Sequence, residues 1–162
     1  MINRKTHQSR KWLRYFTIFL VTIIISQISL PFINDVRIIP DYFIALIIPL
    51  IALKQHNLNI VMIFFLGILV DIFIGELLGQ YILAFLIIYM GNFTLHKFFK
   101  FQSYSQIVFL YLILLELGFL VLTTTSLTYQ LNNNDINIFI YKNILTVPFC
   151  FLYKFILDKV NN

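Results

Sequence analysis

Long apolar runs fill most of this chain, and its polar residues stand in short gaps between them. The runs cover residues 15–33, 40–53, 60–75, 81–95, 107–127 and 138–157. Within each run the apolar residues follow one another without the alternation of a half-buried strand or the one-sided stripe of a surface helix. That is the pattern of helices with apolar surroundings on every side, as in a membrane. The first run follows the segment 1–14, which holds Arg4, Lys5, Arg10, Lys11 and Arg14 and no acid. It ends at Ser29-Leu30-Pro31 without a small-x-small cleavage pattern, so it reads as an uncleaved first span. The second run is short. Its 12 uninterrupted residues from 42 to 53 rise only ~18 Å as a helix, less than a bilayer core, and Pro49 inside it predicts a kink or a broken turn. Whether the second and third runs cross fully or dip in and return is left open by their lengths. Pro40 and Asp41 stand where the second helix begins, a Pro suited to a first turn and an acid suited to a helix start. The fifth run is the longest clean one, with Glu116 near its middle, and the sixth is interrupted by Lys142, Asn143 and Pro148.

The expected architecture is all-α: a single integral membrane domain over residues 1–162, built as a polytopic bundle of about six transmembrane helices. Composition leaves little alternative, since 60% of residues are hydrophobic, 12% are charged and the mean hydropathy is +0.87, where soluble domains carry about 25% charge. No stretch remains for a soluble domain, which disfavours catalysis in an aqueous cleft. The formal charge of +5 and pI near 9.4 do not mark a nucleic-acid binder, because the basic residues are distributed over the gaps rather than gathered in a patch. They set topology instead. With the amino terminus inside, Arg4, Lys5, Arg10, Lys11, Arg14, Lys54, Lys97, Lys100, Lys154 and Lys159 are cytoplasmic and only Arg37 and Lys142 are outside, so both termini are expected in the cytoplasm.

Polar residues inside the runs are the candidates for function. Gly67, Asp71, Gly75 and Gly79 recur every four residues, which on a helix stacks them along one side, where small residues let a neighbouring backbone approach. Asp41, Asp71, Glu76 and Arg37 all fall towards the outer side. They read either as a cluster that holds the second and third helices together, with Arg37 pairing Asp71, or that receives a partner's basic residue, or else as carboxylates wetted at the interface. Glu116 reads as a helix-association residue rather than a proton carrier, because only Gln27, Asn143 and Thr146 offer further polar groups on other spans. His7, His56 and His96 lie in different gaps, none at ligand spacing with Cys150, and no nucleophile, phosphate-loop or dinucleotide pattern occurs. No enzyme activity, metal or cofactor is therefore expected.

The order Pro40-Asp41-Tyr42, then Leu53 to Asn59, then Gly67-x-x-x-Asp71-x-x-x-Gly75-x-x-Leu78-Gly79 resembles the MreD family of bacterial rod shape-determining inner-membrane proteins. The likeness is dense over residues 37–85, and Pro148 falls where the family tends to carry a Pro. Where the family commonly has an Arg directly before the Pro, this chain has Ile39, with Arg37 two residues earlier. The resemblance implies a non-catalytic membrane subunit of the cell-elongation machinery that maintains cell shape. It would work with MreC, with the MreB filament beneath the membrane, and with a SEDS-type peptidoglycan polymerase and a penicillin-binding transpeptidase. Together with the polar residues read above, it leaves Arg37, Pro40, Asp41, Gly67, Asp71, Gly75, Glu76, Gly79 and Glu116 as the structural or partner-binding candidates. The family is similar in fold to the membrane substrate-binding subunits of energy-coupling-factor transporters, and a small-molecule-binding transport subunit is the alternative. Those subunits carry small-x-x-x-small Ala pairs in their first span, and this chain has no Ala there.

Overall fold

A computed structural model describes residues 2–27, 39–52, 59–74, 78–99, 101, 103–126 and 133–161. Six helices follow one another: α1 (Ile2–Ser26), α2 (Tyr42–Ala52), α3 (Ile60–Ile74), α4 (Gln80–Phe98), α5 (Tyr104–Ser126) and α6 (Asn133–Asn161). No strand occurs among the described residues. Segments of α4, α5 and α6, over Gln80–Phe98, Tyr104–Thr125 and Ile140–Lys159, are long and apolar enough to cross a membrane. The apolar parts of α1, α2 and α3 are shorter.

The shortest helix is the one that four others enclose. Every residue of α2 from Tyr42 to Ile51 is buried, so it touches protein on all sides. It packs on α1, α4, α5 and α6. A helix that is apolar all round and enclosed by its neighbours need not span the lipid itself, which reconciles its 11 residues, ~17 Å of rise, with a membrane bundle. Pro49 lies inside α2, and the helix runs through it to Ala52 without a break. Around this core α3 packs on α4, α4 on α5, and α6 on α2 and α5. The outer surface carries Phe16, Ile24, Phe65, Ile72, Phe93 and Phe155 exposed, an apolar exterior suited to lipid chains.

The helix limits differ from the runs in ways the local chemistry explains. Residues 2–26 contain neither Gly nor Pro, and Lys, Arg and Gln are good helix formers, so α1 begins within the basic segment. At the far end of α5 the triplet Thr123, Thr124 and Thr125 donates its hydroxyls back to Phe119, Leu120 and Val121 carbonyls at 2.8–2.9 Å. With those hydroxyls bonded to the helix itself, α5 continues through a polar stretch. Helix α4 runs on to Phe98, with His96 and Lys97 in its last turn, where positive charge complements the helix dipole.

Candidate functional site: the polar end of the bundle

Helices α2 and α4 start at the end of the bundle where α1, α3 and α5 finish, and the buried carboxylates meet there. Asp41 precedes α2, and its Oδ1 accepts the N–H groups of Phe43 at 3.2 Å and Ile44 at 3.0 Å. This is the geometry of an N-cap, in which a short side-chain oxygen satisfies amides that have no carbonyl partner in the first turn. Pro40, also buried, stands immediately before it. The other carboxylate oxygen reaches two more helices: Tyr81 of α4 donates its hydroxyl to Oδ2 at 2.9 Å, and Lys142 Nζ of α6 lies 3.9 Å from it. The Asp41 N–H donates to Thr146 Oγ1 of α6 at 3.1 Å, and Thr146 donates in turn to the Lys142 carbonyl at 2.7 Å. Asp41 is only 4% exposed, and with these partners it ties α2 to both α4 and α6.

Asp71 performs the same task at a distance. Helix α4 begins after Gly79, whose φ of +104° is a conformation that favours glycine and whose lack of a side chain leaves the helix no cap of its own. Asp71, near the end of α3, supplies it. Its Oδ2 accepts from Gly79 N–H at 2.9 Å and Ile82 N–H at 3.4 Å, and its Oδ1 from Tyr81 N–H at 3.0 Å. The approach that makes this possible lies one turn back on α3, at Gly67. A β-carbon built there would stand 2.7 Å from Ile82 Cα and 3.0 Å from Ile82 N, so the two backbones are in contact. The Gly-x-x-x-Asp spacing therefore joins two functions on one face: the glycine admits the backbone of α4, and the aspartate caps its first turn.

Positions singled out from the sequence thus separate into groups. Pro40, Asp41, Gly67, Asp71 and Gly79 gather at or beside this end of the bundle. Arg37, Gly75 and Glu76 lie outside the described residues. Both Asp71 oxygens accept backbone amides, and the expected pairing of Asp71 with Arg37 falls on a residue outside the described ones. Glu116 is elsewhere, exposed on α5. Tyr81, Gln80 and Lys142 join the site although the motif reading passed over them. Lys142 carried a signal, as a cation inside the last apolar run.

Between these residues lies a cavity of about 400 Å³ to which all six helices contribute. Its polar wall includes Asp41, Gln80, Tyr81 and Lys142, and its apolar wall Phe73, Ile74, Phe119 and Leu122. No group of three or more His, Cys, Asp or Glu placed to hold a metal ion occurs among the described residues.

A family model described as rod shape-determining protein MreD matches residues 7–159, nearly the whole chain. The chain belongs to the MreD family. Its membrane-type apolar helices and its shape-determining assignment follow from that membership together with the helical bundle. The match also includes α5 and α6, beyond the densest sequence likeness, so the polar end of the bundle as a whole belongs to the MreD-matched region. Comparison with curated proteins and with solved structures yields no match.

Proposed function

We propose that this chain is a non-catalytic subunit of the cell-elongation complex in the bacterial inner membrane. In this reading it is multi-pass, has both termini in the cytoplasm, and links MreC and the peptidoglycan synthases to the MreB cytoskeleton. The site residues support a bracing role: Asp41 and Asp71 are engaged in capping helices and joining them. The observation that carries the partner-binding part is the position of Glu116. It is the thirteenth residue of the 23-residue α5, and unlike Asp41 and Asp71 it is exposed. Phe109, Leu112 and Leu120 share its face, at 59%, 40% and 56% exposure. An acidic residue near the centre of a bilayer costs ~2.5–3.5 kcal/mol on insertion scales, and lipid chains offer it no hydrogen-bond donor. A partner's membrane helix with a basic or amide side chain at the same depth does offer one, and the apolar neighbours supply the packing.

The test is co-purification of MreC, and of the synthases, with Glu116→Leu and Glu116→Gln variants in one detergent. Both variants are expected to accumulate normally, because the exposed carboxylate makes no hydrogen bond or ion pair among the described residues, and to capture less partner. Cells carrying only Glu116→Leu should lose rod shape. Full partner capture and normal cell shape with the leucine variant would remove this face from the interaction.

A further inference from the structure

Helix α1 is seated on the bundle by a narrow seam. In its apolar segment Phe19, Thr22 and Ile23 are buried, while Phe16, Leu20, Val21 and Ile24 are exposed. It packs on α2 and α6 and has no comparable packing on α3. On the α6 side the hydroxyls of Thr22 and Tyr153, 3.1 Å apart, hydrogen-bond across the join. On the α3 side a cleft of about 240 Å³ stands in place of a contact. Its walls are Phe16 and Phe19 of α1 and Leu66 and Leu69 of α3, and its floor is Leu46 and Leu50 of α2. The floor residues are only 4% and 5% exposed, so the cleft is deep. Phe16 and Phe65 at its rim are exposed, so it opens sideways to lipid.

The chemistry of the lining restricts what can lie there. Apart from the Tyr15 hydroxyl, the side chains that line the cleft offer no oxygen or nitrogen, and a buried water needs two to four polar partners. Protein interiors hold few voids larger than a water molecule, and an apolar cavity of ~150 Å³ stays dry and takes a guest as large as benzene. Hydrocarbon is the matching occupant. A transmembrane helix is ~10–12 Å across with its side chains and cannot reach Leu46 and Leu50 without lifting α1 off its seam. A single acyl chain is narrow enough to lie on them.

The charges around the cleft select the headgroup. It lies at the end of the bundle opposite to Asp41, since Tyr15 and Met62, early in the apolar parts of α1 and α3, and Leu157, late in α6, all line it. Arg14 immediately precedes Tyr15 and is exposed, and residues 1–14 hold five basic residues and no acid. Lys159 is exposed two residues beyond Leu157. The acid between them, Asp158, is within electrostatic reach of Tyr111 on α5. Helices α3 and α5 start at this level and α2, α4 and α6 finish there, so their partial charges largely offset one another and the full charges of the basic side chains prevail. Clustered Lys and Arg at a membrane surface attract anionic lipids.

We propose that the cleft between α1 and α3 holds one acyl chain of an anionic phospholipid, lying on Leu46 and Leu50 with the headgroup beside Arg14, and that this chain supplies the contact α1 does not make with α3. The lipid is then a fixed part of the bundle. The proposal concerns how α1 is held and stands apart from the Glu116 face of α5.

The experiment uses the full chain in phosphatidylcholine nanodiscs doped with phosphatidylglycerol that carries a photoreactive diazirine midway along one chain, or with phosphatidylcholine carrying the same chain, the labelled residues being mapped by mass spectrometry. Phosphatidylglycerol should label α2 at Leu46 or Leu50, which lipids around the bundle do not reach, and should do so more strongly than phosphatidylcholine. Leu66→Trp fills the cleft and should lower labelling of α2 about tenfold or more, the effect of excluding about two methylenes, while Phe155→Trp, at an exposed position of α6, leaves it unchanged. Arg14→Gln should bring phosphatidylglycerol down to the level of phosphatidylcholine without removing the label from α2. If Leu66→Trp fails to fold, the wild-type labelling pattern and Arg14→Gln still decide. Labelling confined to exposed residues such as Ile72 and Phe93, equal labelling of α2 by the two lipids, or labelling of α2 unchanged in folded Leu66→Trp overturns the proposal, and the first of these leaves the cleft to side chains of a partner.

Discussion

Replacing Asp71 by alanine removes the acceptor for three amides at once and leaves the first turn of α4 without a cap. Two of the bonds, at 2.9 Å to Gly79 and 3.0 Å to Tyr81, are short, and the third, at 3.4 Å to Ile82, is long enough to contribute little. A hydrogen bond to a charged acceptor is worth about 1.5–3 kcal/mol net. The loss of an N-cap side chain is measured at about 0.5–2 kcal/mol. Because Gly79 has no side chain to substitute and Asp71 is only 2% exposed, water is not free to take over, and the estimate lies near the sum of two weaker charged bonds, about 2–4 kcal/mol. For a chain of this size about 2–4 °C accompanies each kcal/mol, so the purified Asp71→Ala protein should melt on the order of 5–15 °C lower. Asp71→Asn keeps one oxygen but turns an NH₂ towards backbone donors, and it should lose about half as much. Hydrogen exchange localises the effect: the amides of Gly79, Tyr81 and Ile82 should exchange faster in both variants, while those in the middle of α5 do not change. Arg37→Gln, alone and combined with Asp71→Asn, tests the expected pairing separately: a double variant milder than the sum of its parts would show that the two residues interact. Unchanged melting and unchanged exchange at these three amides in Asp71→Ala would refute the capping account.

The contact at Gly67 makes a contrasting pair of predictions. Gly67→Ala places a methyl group against Ile82 Cα and must move α4, at about 1–3 kcal/mol, whereas the methyl of Gly118→Ala meets the flexible Ile88 Cδ1 at 2.8 Å and should cost less; equal melting temperatures for the two would refute the distinction. Reporter fusions after residues 35, 78 and 133 should read periplasmic and those after 56, 101 and 160 cytoplasmic, following the distribution of basic residues. An external signal after residue 101 would overturn that orientation.

Helix type and order, and much of the start of α2, were legible in the sequence because they are local matters. A run of apolar residues long enough to satisfy its own backbone is helical wherever it is placed in a bilayer, and Asp41 caps amides only two and three residues further on. The Gly-x-x-x-Asp spacing likewise announced a contact face, since residues four apart share a side of any helix. What that face meets was decided by the tertiary structure. Asp71 reaches its amides 8 to 11 residues along the chain, and only the turn ending at Gly79 brings them within range. Asp41 meets Tyr81 across 40 residues and Thr146 across 105. No local preference encodes those distances. The same limit explains why the sequence could place Glu116 at mid-depth but not on the outside, and could not show that α2 is enclosed: a helix apolar on every side carries no periodic signal of which side is in. The packing of α4 against α3 and α5, and of α6 against α2, assigns the faces, because only the assembled bundle distinguishes a side that touches protein from one that touches lipid.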